Sequence, residues 1–233
     1  MSQVILNVLC EGQTEERFAK SVLKDHLKSF KIVVKTTILV TNKKKNIRGG
    51  MLSYQQAKTD LELLVKQHSK KTYEKHFYTT MFDLYALPNN FPGYADALKI
   101  QDCYDVTKKL EDEFGKDINH HLFIPYIQLH EFEALVFCGL EYLLIDYPDM
   151  KKQIEELEKV LVSYDNNPEK INNSPATAPS KRIIKSFESK HHYNKPKSGE
   201  LVTGKVGISS LKEKCLHFRE WIESLEKIAI EEA

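Results

Sequence analysis

Four carboxylates stand where apolar, strand-like runs give out. Glu11 follows VILNVLC, Asp83 ends HFYTTMFD, and Glu131 and Glu133 lie in HEFEA, just after HLFIPYIQL. In an open α/β sheet the working crevice lies beyond the carboxyl ends of the strands. These acids, distant in sequence, are therefore expected at one sheet edge. Like charges brought together cost free energy unless a cation sits among them. Oxygen ligands suit Mg2+ or Mn2+, and Mg2+ takes one or two carboxylates while keeping waters and substrate phosphate oxygens in its other positions. The pattern points to a hard-cation site that handles phosphate, with Glu11, Asp83, Glu131 and Glu133 as candidate ligands.

Neighbouring acids have simpler readings. Glu15 and Glu16 fall in the first turn of an expected helix, where acids complement the helix dipole; Glu11 precedes the turn and is not explained by capping. Glu131 and Glu133 are two apart, so they cannot share one face of a helix and share one only if the strand continues through them; one of them is expected to bind metal and the other to support it. HEFEA begins like the zinc-protease pattern HExxH, but Ala134 stands where the second histidine is needed. Neither GxxxxGK[ST], GxGxxG nor GxSxG occurs, so no familiar nucleotide loop or serine nucleophile is indicated. Cys10 beside Glu11 reads as a buried strand thiol.

The elements that would position these acids alternate. Strands are expected at Val4 to Leu9, Ile32 to Val40, His76 to Leu87 and His121 to Leu129. Helices are expected at Thr14 to Phe30, Tyr54 to His68, Ala95 to Phe114 and Glu131 to Leu144. The β-α order implies an α/β fold: a mostly parallel sheet of about four strands flanked by helices. The last third changes character, with a charged helix at Met150 to Tyr164, a short helix at Lys181 to Ser189, loop through Gly207, and a closing helix at Ile208 to Ile230. Residues 1–145 are read as the catalytic core and 146–233 as a helical and loop extension packed on it. Trp221, the only tryptophan, is expected in the core.

Composition sets limits. The 233 residues carry 34 Lys+Arg and 33 Asp+Glu, a net charge of +1, which gives no global pull toward nucleic acid or membrane. The balance conceals an opposition. Residues 111–160 hold twelve acids against four Lys+Arg, a net of −8, and residues 180–214 hold nine Lys+Arg against three acids, a net of +6. Basic groups hold phosphates, and interleaved aromatics such as Tyr193 can stack on bases. Lys43, Lys44, Lys45 and Arg48 form a second cluster beside a Gly-Gly turn, where backbone N–H groups could approach a phosphate. Arg48, Lys181, Arg182 and Lys205 are the candidate phosphate contacts. The four cysteines are scattered without a CxxC pair, consistent with free thiols inside the cell. No signal peptide and no membrane span are expected, and the expected location is cytoplasmic.

The motif EGQTEE after the first strand resembles the opening of Toprim domains, the metal-binding folds of topoisomerases, bacterial primases and OLD-type nucleases. The place of their later Asp-x-Asp pair looks like Asp83-Leu84-Tyr85, with tyrosine where the second acid would stand. The closer resemblance is to a Toprim-like bacterial family classed as a domain of unknown function (family 4276). It rests on EGQTEE, RGGMLSY, FDLYALPNNFPGY, HEFEALVF, APSKRI and KCLHFREW, spread along the chain. That resemblance implies a Toprim-like fold and a Mg2+- or Mn2+-dependent nuclease acting on DNA or RNA, in an anti-phage or mobile-element system beside an ATPase partner protein, either alone or as a homo-oligomer. Carried over by position, Glu11 is similar to the Toprim glutamate and Asp83 to the first acid of the pair. Phe132-Glu133 is similar to a Phe-Glu step after the fourth strand, which favours Glu133 as the further catalytic acid. The alternative is a Toprim-shaped subunit that binds nucleic acid or regulates an ATPase without catalysis; a third reading is nucleotidyl or pyrophosphoryl transfer.

Overall fold

The computed structural model describes residues 3–42, 47–48, 50–68, 73–171 and 177–231. Strand β1 (Gln3–Cys10) is the centre of the sheet, pairing in parallel with β2 (Ile32–Ile38) on one side and β5 (Glu74–Asp83) on the other. Two short strands, β6 (Phe123–Ile124) and β7 (Ile127–Gln128), continue beyond β5, also in parallel. The order is β2-β1-β5-β6, with β7 on the same edge of β5. A separate antiparallel pair, β3 (Val40–Asn42) and β4 (Ile47–Arg48), follows β2, so that Val40, expected at the end of the second strand, belongs to this pair. The anticipated α/β class and mostly parallel sheet are thus present, with five strands in place of about four.

Alternation along β1 and β5 separates two cores, because successive side chains face opposite sides of a sheet. Leu6, Val8, Cys10, Phe77 and Met81 face one apolar cluster, and Leu9, Tyr78 and Phe82 face the other. The second cluster is closed by α3 (Tyr54–His68) and α5 (Cys103–Ile118). The first is closed by α1 (Gln13–Phe18), by α2 (Lys24–Lys28), which continues from it through one π-helical turn, and by helices from the last third. Trp221 is buried there, its ring stacked on Tyr126 at 4.0 Å and its indole N–H donating to Thr79 Oγ1 at 3.0 Å.

Several boundaries differ from the sequence reading. The helix expected over Ala95 to Phe114 is two, α4 (Tyr94–Ala97) and α5, because Asp102 caps a new start by accepting from the N–H groups of Tyr104 and Asp105. The strand expected over His121 to Leu129 is broken at Pro125, which has no N–H for the ladder. After it, α6 (Glu133–Val136) gives way to a 3-10 stretch over Phe137–Ile145. Beyond α7 (Lys151–Val162) and α8 (Pro179–Phe187), the stretch expected to be loop up to Gly207 is helical from Lys195. Helix α9 (Lys195–Lys214) starts at an Asn194 cap with Pro196 in its first turn and kinks at Gly207, whose φ of 77° suits glycine. Helix α10 (Leu216–Glu231) closes the chain. Its first N–H groups are satisfied by Glu169, a fully buried acid that accepts from His217 and Phe218. Among the described residues no helix is long and apolar enough to cross a membrane.

Candidate functional site

The strand order reverses direction between β1 and β5, because the chain leaves β1 toward β2 and later returns to β5 on the other side. That switch point is where an open sheet leaves a crevice. Register pairs Cys10 with Met81, so the next residues, Glu11 and Phe82, emerge side by side. The Glu11 N–H donates to Met81 O at 3.1 Å, and its side-chain Oε2 accepts from the Asp83 N–H at 3.0 Å. Asp83 Oδ1 in turn accepts from the Phe132 N–H at 2.9 Å, which draws HEFEA onto the end of β5. His130, at φ 62°, makes the left-handed turn that brings Glu131 and Glu133 in together. Glu131 Oε2 accepts from the Ser180 N–H at 2.9 Å, at the start of α8.

Glu133 is 2 % exposed, with Oε2 at 3.6 Å from Lys195 Nζ and Oε1 without a partner among the described residues. Two members were not anticipated. Glu15 does cap its helix, accepting from the Gly12 N–H at 2.7 Å, but it is also buried beside Glu11 and Asp83. Lys195, the first residue of α9, brings an ammonium to this group of acids. The close approach that places it depends on Gly199, where an added Cβ would lie 2.8 Å from the Phe132 ring and 3.0 Å from Thr14 Cγ2. The sequence signal for α9 was Asn-Lys-Pro, a cap residue with proline inside the first turn.

The electrostatics follow from this crowding. Burial pushes the Glu133 carboxyl up to about 7, against the attraction of Lys195. Burial also lifts Glu11 and Glu15 to about 7, with Glu131 and Glu11 respectively adding repulsion. Asp83 is raised well above the usual carboxylate range by burial and then by Glu15, Glu11, Glu133 and Glu131. Burial would pull Lys195 down, yet Glu133, Glu131 and Asp83 hold it above its ordinary value. Burial lowers His130 to about 4.

The donor set fits a hard divalent cation in its chemistry: oxygen ligands only, mutual repulsion that a cation would relieve, and a buried oxygen on Glu133 that lacks a partner among the described residues. Among the described residues no three His, Cys, Asp or Glu side chains are already arranged around one ion point. Instead Glu11, Asp83, Glu131 and Glu15 are turned onto backbone N–H groups, and Glu133 onto Lys195.

The expected phosphate contacts scatter. Arg48 is described as backbone in β4 and its side chain lies outside the described residues, as do Lys43, Lys44 and Lys45. Lys181 is exposed on α8, one residue after the Ser180 N–H that holds Glu131. Arg182 is spent on Thr177 O and the Tyr164 hydroxyl, with its guanidinium over the Tyr164 ring. Lys205 is exposed, ten residues along α9 from Lys195, or about 15 Å of helix rise.

No curated protein and no solved structure matches the chain. The family model described as Domain of unknown function (DUF4276) matches residues 10–226, nearly the whole length, and the chain belongs to that family.

Proposed function

We propose that the chain is a divalent-metal-dependent phosphodiesterase acting on DNA or RNA, with its reaction centre among Glu11, Asp83 and Glu133. The observation that carries this reading is the convergence of Glu11 and Asp83 at the switch point of the sheet, linked by the bond from the Asp83 N–H to Glu11 Oε2. A purely structural arrangement has little reason to gather five carboxylates around one lysine, because burying like charges costs stability. Mg2+ or Mn2+ would be held by Glu11, Asp83 and Glu133, with Glu131 beside them, and would supply Lewis-acid stabilisation of phosphoryl charge and a more acidic bound water. The Toprim-like character implied by EGQTEE and Asp83-Leu84-Tyr85 agrees with this placement.

The chain's own groups have distinct tasks. The Asp83 N–H holds the Glu11 carboxylate and the Phe132 N–H holds that of Asp83, so neither swings freely. Lys195, positively charged and partly exposed, faces the crevice from the start of α9 and neutralises a phosphodiester oxygen. Anti-phage or mobile-element work with an ATPase partner, and assembly as a homo-oligomer, belong to the same proposal.

The reading without catalysis draws on Tyr85, which stands at the place of the second Toprim acid. Glu11→Gln separates the two. Incubated with labelled single- and double-stranded DNA and RNA in Mg2+ or Mn2+, the wild type should cut at least one substrate. The variant should bind that substrate but leave it intact. Equal behaviour of the two proteins would favour the adaptor.

A further inference from the structure

Next to the carboxylates lies a pocket of about 350 Å3 that the reaction centre does not use. Its lining includes Tyr85, Tyr94, Leu98, Val106, Leu110 and His130. Two of these walls are continuous with the site: Tyr85 is two residues beyond Asp83, His130 immediately precedes Glu131, and the Tyr85 N–H donates to His130 O at 3.1 Å. The rings of Tyr85 and His130 stand 6.0 Å apart, centre to centre. His130 is 8 % exposed, and its Nε2 has no partner among the described residues. A buried ring nitrogen left unpaired costs free energy, and it is satisfied when a ligand brings a hydrogen-bonding group to it. Leu98, 71 % exposed, offers an apolar surface at the rim.

We infer that this pocket is a base subsite, which takes the nucleobase of the nucleotide whose phosphate faces the carboxylates and Lys195. A nucleobase matches all three features of the walls: a planar face for Tyr85 and Tyr94, an apolar body for Leu98, Val106 and Leu110, and a hydrogen-bonding edge for His130 Nε2. Tyr85, which departs from the acidic pair, thereby has a task of its own. This inference rests on the phosphodiesterase reading for the position of the phosphate, but base binding itself needs no metal.

Cys103 also lines the pocket and is partly exposed, whereas Cys10, Cys138 and Cys215 are buried. Its alkylation by iodoacetamide, followed by mass spectrometry of the full chain in EDTA, therefore reports occupancy. Millimolar adenosine should slow the reaction several-fold and ribose should not. His130→Phe should weaken the protection about fivefold, the worth of one hydrogen bond, and Tyr94→Ala should weaken it independently should the first variant not fold. The inference is overturned if adenosine leaves the rate unchanged, if ribose protects equally, or if benzyl alcohol protects as well as adenosine with no effect of His130→Phe. Protection by adenosine in a protein that cuts no nucleic acid would keep the subsite and remove the nuclease; cutting without protection would do the reverse.

Discussion

Replacing Glu133 with glutamine should stabilise the metal-free protein at alkaline pH and leave it nearly unchanged at acidic pH. Burial holds the Glu133 carboxyl at about 7, above its ordinary value of 4.5. The folded chain therefore binds more protons than the unfolded chain between those values, and stability falls as pH rises through that window. At about 1.4 kcal/mol per pH unit, ionising Glu133 costs the fold about 3 kcal/mol by pH 8. Glutamine keeps the shape and removes the charge, so the variant escapes that loss. For a chain of this size the gain corresponds to roughly 6–12 °C in Tm at pH 8. Trp221, the only tryptophan and 4 % exposed, reports unfolding by fluorescence. Urea unfolding of both proteins in EDTA at pH 4 and pH 8 gives the four free energies. A variant less stable than wild type by the same amount at both pH values would refute the reasoning and make Glu133 a structural partner of Lys195.

Other expectations follow from the same geometry. Millimolar Mn2+ should raise the Tm of the wild type at pH 7.5 by several degrees, because a ligand that binds only the folded state stabilises it; Asp83→Asn should remove most of that gain in a thermal scan. Lys195→Met should lower cleavage at least tenfold, the scale of a lost charge contact in a reaction centre, and should shift the acid limb of the pH–rate profile upward, because the cation that favours ionised Glu133 is gone. Gly199→Ala should cost about 1–3 kcal/mol in urea unfolding, since its Cβ would press on Phe132 and Thr14.

Much of this site was legible in the sequence because it hangs on strand ends. VILNVLC and HFYTTMFD are apolar runs long enough to fix two neighbouring strands, and their last residues place Glu11 and Asp83. The HEFEA acids were legible as a pair but not as an arrangement. Their convergence needs the left-handed turn at His130, which local pattern does not announce. Lys195 was missed for a different reason. KPKSGELVTGKVG holds three glycines and a proline, a composition that reads as loop. It is helical because α9 packs tightly on α1 and Phe132 through Gly199, a tertiary gain that outweighs weak local propensity. Glu15 was read as a first-turn acid, and it is one; its burial near Glu11 comes from the same packing of α9 on α1. The basic run of the last third likewise resolved into unlike parts, with Arg182 held by Tyr164 and Lys195 at the acids.

Crystals soaked in millimolar manganese and measured at a wavelength with manganese anomalous signal test the central claim most directly. The account predicts a peak in coordinating contact with the side chains of Glu11 and Asp83, with Glu133 turned toward it. Empty density at that position, in crystals where manganese is found elsewhere or nowhere, would contradict it.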